Sequence, residues 1–328
     1  MALMEKRRLL FLSVIFLFCA AQMQAQWDVS FSQFWTVRSY YNPSFAGEAG
    51  EIQVSGAYNY RWANIKNAPK HLFLSADMPV EFWGLQHGIG IQMFTNTAGN
   101  EQNSLIAAQY ALNRKFGKGT FRIGVQAGIL NLNFDATTVQ LTADSAKNNR
   151  KTIRIHPADK KTIDLNAGIS WITRKFHISG AAMHINQPLF NPLQSRVPTE
   201  DVATDSTSAK IPFSYNFMAG CNINVFHPLV EIEPLILLLT NFTSTRLQTA
   251  VRLVYNKKYS AGVSQNGKEG CSFFAGATIE NIEMGYAYNL YTSGIGKGGG
   301  GHEVSFRYRI PVDLFKKEPM PYKSIRLL

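Results

Sequence analysis

The sequence predicts an all-β chain: a transmembrane, antiparallel, up-and-down β-barrel of about 14 strands with a short N-terminal plug-like segment. Three observations predict it. Period-two alternation recurs along the chain and helical periodicity is nearly absent, as in "TIDLNAGISW", where Ile163, Leu165, Ala167, Ile169 and Trp171 alternate with Asp164, Asn166, Gly168 and Ser170. The alternating runs are near the roughly ten residues a tilted strand needs to cross a bilayer, against about five or six for strands of soluble proteins. Their connections alternate between short turns and longer loops, as outer-membrane barrels do.

Residues 1–25 read as an export signal. Lys6, Arg7 and Arg8 precede the apolar run "LLFLSVIFLFCAA", which is shorter than the roughly 20 residues of a spanning helix. Cleavage fits after Ala25 or Ala21, and bulky Phe18 before Cys19 speaks against a lipid-attachment site. Residues 26–50 form a separate segment, "WDVSFSQFWTVRSYYNPSFAG", rich in aromatics, with an Asn42-Pro43 turn signal in which Pro43 fixes φ. Its composition is unlike a disordered tail and suits an element packed in or under a barrel.

The barrel is expected over 51–310. Its strand-like runs are 51–61, 70–78, 87–95, 103–113, 119–131, 162–172, 175–185, 211–225, 229–239, 246–255, 258–264, 271–279, 282–291 and 302–310. Connections such as "KFGKG", "TRK" and "NKK" are short, whereas 132–161 and 186–210 are long. The short side is expected to be periplasmic and the long side external. Residues 311–328 follow the last strand as a periplasmic tail.

Composition narrows the function classes. Charged residues make up only 17% and aromatics 12% of 328 residues, which favours a barrel over a soluble periplasmic β-protein. The formal net charge is +11, but the cations are scattered through turns, with no basic helical stripe, so nucleic acid is not an expected partner. The lipid of the outer membrane is. A charge facing mid-bilayer costs about 2–4 kcal/mol for Lys or Arg, so the strand charges belong inside. Asp164, Glu231, Glu233, Arg252, Arg307 and Arg309, together with Arg122, are therefore expected to line the lumen as a structural charge cluster.

No chemistry-bearing motif survives its context. "GIGKGG" (Gly294 to Gly299) matches a dinucleotide fingerprint but lies between two strands, where no helix N-terminus receives a phosphate. Beyond the signal only Cys221 and Cys271 remain, both within strand-like runs, so one bridge and two free thiols are both open. There is no metal-ligand spacing, no nucleophile–base pair and no cofactor signature. A non-enzymatic chain is expected, with no cofactor and no metal.

The stretch "FSQFW…YYNPSFAG" resembles the opening of the PorP/SprF family of Bacteroidota outer-membrane proteins. Gln33, Asn42, Pro43, Phe45, Ala46 and Gly47 carry the resemblance, and Ser44 departs from the family's usual alanine. "SADMP" (Ser75 to Pro79), the "GIGIQ" run and the closing "HEVSFRYRI" are also similar to family features. The resemblance implies a non-enzymatic barrel accessory of the type IX secretion system, in some members serving gliding adhesins. It implies partners among the ring lipoproteins, the peptidoglycan-binding subunit and cargo with C-terminal secretion domains. It also implies that the six motif residues form a plug or docking element. The alternative is a transport barrel for hydrophobic small molecules with the same segment as its hatch, which would require a continuous apolar pocket beside it.

Overall fold

In the computed structural model, the described residues are 28–134, 140–143, 151–154, 158–190, 209–226, 229–267, 269–293, 296–297 and 299–311. The expected export signal (1–25) and all but the first residue of the expected tail (311–328) lie outside them. A helical turn, α1 (Arg38–Tyr41), and a 3-10 turn, Pro43–Phe45, precede the strands. The strands are β1 (Ile52–Tyr60), β2 (Lys70–Phe82), β3 (Leu85–Ala98), β4 (Glu101–Phe116), β5 (Gly119–Phe134), β6 (Gln140–Ala143), β7 (Lys151–Arg154), β8 (Ala158–Thr173), β9 (Phe176–Met183) and β10 (Leu189–Phe190). They continue as β11 (Ala209–Lys210), β12 (Ser214–Cys221), β13 (Ile223–Phe226), β14 (Val230–Thr240), β15 (Thr245–Tyr255), β16 (Tyr259–Asn266), β17 (Gly270–Ile279), β18 (Ile282–Tyr291) and β19 (Gly300–Ile310).

Fourteen of these close into an antiparallel barrel. β1 pairs with β19, Ile52 opposite Ile310, and β12 bridges β9 and β14. No barrel strand is left with a free edge, the one sheet arrangement that satisfies backbone groups in lipid. The hairpins β6–β7 and β10–β11 lie in the two long connections, which read as plain loops in sequence. The run 211–225 divides into β12 and β13. Asn222 sits between them, its N–H donating to Lys175 O at 2.7 Å, and the β13–β14 register shifts between Asn224 and Phe226. Several strands overrun their sequence pattern. β4 continues through Arg114 and Lys115, because backbone pairing does not require the side chains at a water-exposed rim to alternate.

The pleat separates two environments. On β4, Asn103, Leu105, Gln109 and Asn113 point inward and are buried, whereas Ile106 is 65% exposed on the outer face. The outer face is apolar strand after strand, with Ile91, Ile129, Ile163, Val251 and Val304 all exposed. The inner face is mostly amide and hydroxyl but not uniformly so. Leu235, Leu237 and Leu239 of β14 are buried inward beside outward Ile236, making that strand oily on both faces. Cys221 and Cys271 are both unpaired.

Candidate functional site

The interior is occupied by the chain's own residues 28–47. Phe31, Phe34, Val37, Tyr41 and Phe45 are buried among wall residues Phe73, Phe94, Leu105, Leu130 and Leu237 in a single apolar cluster. Phe31, Tyr40 and Phe73 meet as edge-on or tilted rings, and Trp35 packs on Phe274 at 4.7 Å between centroids. These contacts explain the inward leucines of β14: the wall is apolar where an aromatic segment faces it.

Five of the six motif residues, Asn42, Pro43, Phe45, Ala46 and Gly47, sit at the end of the lumen nearest the short turns. Asn42 caps the 3-10 turn, its Oδ1 accepting from Ser44 N–H at 2.9 Å, with Pro43 at the first position, where a missing N–H is harmless. Its Nδ2 donates to Ile169 O on β8 and to Gly180 O on β9, both at 3.1 Å. Gly168 lies beneath the Asn42 side chain and Gly124 beneath the Pro43–Ser44 peptide. A Cβ on either glycine would overlap the segment. Ala46 O and Ser44 O both accept from the Arg122 guanidinium, and Phe45 stacks under Arg38 at 5.1 Å. Gly47, at φ +66°, brings its backbone onto Gly88 and donates to Asp77 Oδ1 at 2.8 Å.

Gln33 belongs to the other half. Its N–H and that of Ser32 donate to the two oxygens of Glu303, each at 2.7 Å, and Asn59 also donates to Glu303. Further along β19, Arg307 donates to Trp35 O and Thr36 O at 2.9 and 3.1 Å. Three other stretches singled out in the sequence converge here. "SADMP" supplies Asp77, "GIGIQ" supplies Gly88 and Gln92, and "HEVSFRYRI" supplies Glu303 and Arg307. All but Gln92 touch residues 32–47. Gln92 joins Gln109 and Gln126 in an amide trio, from which Gln109 Nε2 reaches Ser39 O at 2.8 Å.

Of the strand charges expected in one cluster, those other than Arg122 and Glu231 fall into two groups. Near the short turns, Glu233 pairs with Arg252 at 3.1 Å, and Glu283 gathers Arg252, Arg307 and Arg309 at 2.8, 3.0 and 3.3 Å. Glu231 joins none of these pairs among the described residues. Asp164 lies in the other half with His184, Nδ1 to Oδ1 2.7 Å, and His184 Nε2 reaches Asp28 Oδ1 at 3.2 Å. Asp28 also accepts from Ser214 at 3.0 Å. Burial opposes charge on the His184 imidazole, but Asp28 and Asp164 hold it up, at about 10. Burial likewise opposes charge on Asp28, and His184 prevails, keeping that carboxyl below its ordinary value.

Sequence reasoning missed Glu303, Glu283, His184 and Asp28 as site residues. Glu303 and Glu283 occupy inward phases of alternating strands, a detectable signal shared with every other inward polar residue. Above Tyr40 a cavity of about 320 Å³ opens toward the long loops, lined by Asp28, Asp164, His184, Gln92 and Gln126, with Phe94 and Leu105 among its apolar walls. Most of these polar groups are bonded to one another, and the described residues contain no cluster suited to a metal ion.

A family profile described as "Type IX secretion system membrane protein PorP/SprF" matches residues 23–308. No curated protein matches the chain. Among solved structures, the fold is similar to the CymD monoaromatic hydrocarbon channel, at 10% identity and TM-score 0.51, covering 88% of this chain and 95% of that one. A Pseudomonas aeruginosa FadL homologue aligns at 10% identity and TM-score 0.46, covering 84% and 94%.

Proposed function

The chain belongs to the PorP/SprF family of type IX secretion system membrane proteins, and we propose that it serves that system as a lumen-sealed barrel working through protein contacts at its mouths. It is an integral protein of the outer membrane. The observation that carries the proposal is the fate of the family motif. Gln33, Asn42, Pro43, Phe45, Ala46 and Gly47 are spent on seating residues 28–47 inside the barrel. Buried there, Asn42 and Phe45 have no face left for a partner, which supports sealing over direct docking. Partner contacts then fall to the mouths: the short-turn mouth for ring lipoproteins or the peptidoglycan-binding subunit, and either mouth for cargo with a C-terminal secretion domain.

The hydrophobic-transport alternative gains a fold from the hydrocarbon channel and nothing more. The cavity beside the segment sets Asp28, Asp164, His184 and several amides among Tyr40, Phe94, Leu105, Leu130 and Met183, so it is not the continuous apolar pocket that an apolar cargo would require. The test is Asn42→Ala/Pro43→Ala, together with deletion of 28–47, in cells and in planar bilayers. Expected are unchanged heat-modifiable gel migration, a conductance the wild type lacks, and reduced recovery of secretion subunits or reduced cargo export. Normal export and recovery from a barrel that has become conductive would remove the link between the sealed state and secretion.

A further inference from the structure

The short-turn mouth is electrically lopsided. The end of β4 carries Arg114 and Lys115, the β4–β5 turn carries Lys118, and the β8–β9 turn carries Arg174 and Lys175. The two are neighbours, because β5 pairs with β8 and Gly119 faces Thr173. Beyond β9 and β12–β14, the β15–β16 turn adds Lys257 and Lys258. All seven side chains are exposed, and among the described residues none enters an ion pair. They are not counter-ions of the lumen acids, which are served by Arg252, Arg307 and Arg309. The turns that flank this arc are acidic: Glu81 stands beside Trp83 at the β2–β3 turn, next to β4, and Glu280 at the β17–β18 turn, next to β16, all exposed.

Phosphate headgroups and an acidic protein face are the two chemistries that would hold such cations. The asymmetry favours the protein. Lipid surrounds a barrel on every side, so a headgroup belt places cations on every turn, whereas here β2–β3 and β17–β18 carry carboxylates. Lys115 also shares the inward phase of Ala111 and Asn113 on β4, aimed over the mouth and away from the bilayer. We propose that the arc from β4 to β16 is the docking face for an acidic domain of a periplasmic secretion subunit, seated off the barrel axis beneath β4, β5, β8 and β9. This rests on the reading above, that the short-turn mouth meets the secretion machinery.

The experiment uses the full-length barrel in nanodiscs and purified ring-lipoprotein and peptidoglycan-binding subunits from the same type IX machine. One variant combines Arg114→Glu, Lys115→Glu, Lys118→Glu, Arg174→Glu and Lys175→Glu. A control combines Glu81→Lys and Glu280→Lys, and heat-modifiable migration checks that both fold. At low salt the reversed arc is expected to weaken binding by about tenfold or more, and the control to leave it intact or tighten it. Wild-type binding should itself fade with salt as the Debye length shrinks from about 10 Å at 0.1 M to about 3 Å at 1 M. Equal binding by wild type and reversed arc overturns the inference while sparing the partner reading. Unchanged subunit binding with loss of co-purifying anionic phospholipid overturns it in favour of a lipid belt. If the wild type binds no subunit, the partner reading fails and the arc proposal falls with it.

Discussion

The two ends of the segment inside the barrel are held by different physics. Asn42–Gly47 is seated backbone on backbone over Gly88 and Gly124, with the Asn42 side chain on Gly168, two of its carbonyls answered by Arg122 and its cap closed on itself. Asp28–Gln33 is held by side chains: Glu303 beneath two N–H groups, Ser30 on Gln248, Ser32 on Asn289, and the Asp28–His184 pair. Around that end Gln33 Nε2, Asn289 Nδ2, Asn266 Oδ1 and Ser264 Oγ have no protein partner. Buried amides without partners are costly unless water reaches them, so water is expected to enter along this seam. One end is fixed by shape, which tolerates no added atom. The other is fixed by polar bonds that water can replace, so release of the segment should begin at Asp28.

The strongest way to break the contrast is Gly124→Leu. Its Cβ lands on the Pro43–Ser44 peptide, and overpacking of this kind costs about 1–3 kcal/mol, or expels the group in the way. Expected is loss of a disulfide cross-link engineered between positions 44 and 170, with the barrel still folded. Gly180→Ala, whose Cβ would meet only the Phe217 ring at 3.4 Å, should keep the cross-link. A smaller effect is expected at the wet end. Glu303→Gln keeps the shape but offers an NH2 where a second backbone N–H needs an acceptor, costing about 1–3 kcal/mol. Hydrogen exchange should rise at Ser32 and Gln33 and stay unchanged at Ser44 and Gly47. Equal loosening of both ends would dissolve the distinction.

The smallest effect is that of pH on the clasp formed by Asp28, His184 and Asp164, with Arg246 also acting on Asp28. His184 is raised, so its contribution is complete below 6.5 and is lost as pH climbs through about 10. Asp28 is lowered, so its contribution is present above 3.8 and is lost as pH falls through the folded value. A spin label at Val29 should therefore be least mobile between these limits, and His184→Asn should flatten the alkaline limb.

Much of the wall was legible because alternation is written by neighbours in the chain. Ile106 and Gln109 take opposite faces in the structure as their phases require. The grouping of inward charges was not legible, and strand direction explains why. β8 descends from the long loops and β14 ascends from the short turns, so Asp164, in the first half of β8, and Glu233, near the start of β14, finish in opposite halves of the wall. Arg252 reaches Glu283 past β16 and β17, a meeting set by the curvature of the wall. Glu231 shares a phase with Glu233, but Arg252 stands opposite Glu233, whereas Val254 and Asn224 stand opposite Glu231.

By itself the sequence determined which residues face lipid and which face inward, where most barrel strands turn, and that "YYNPSFAG" is a compact turn element. Each follows from bonds and sterics within a few residues. Only the tertiary structure decided that this element lies inside the barrel, on which glycines it rests, and which carboxylate holds it. Ser32 and Glu303 are 271 residues apart, and they meet only because β1 closes on β19.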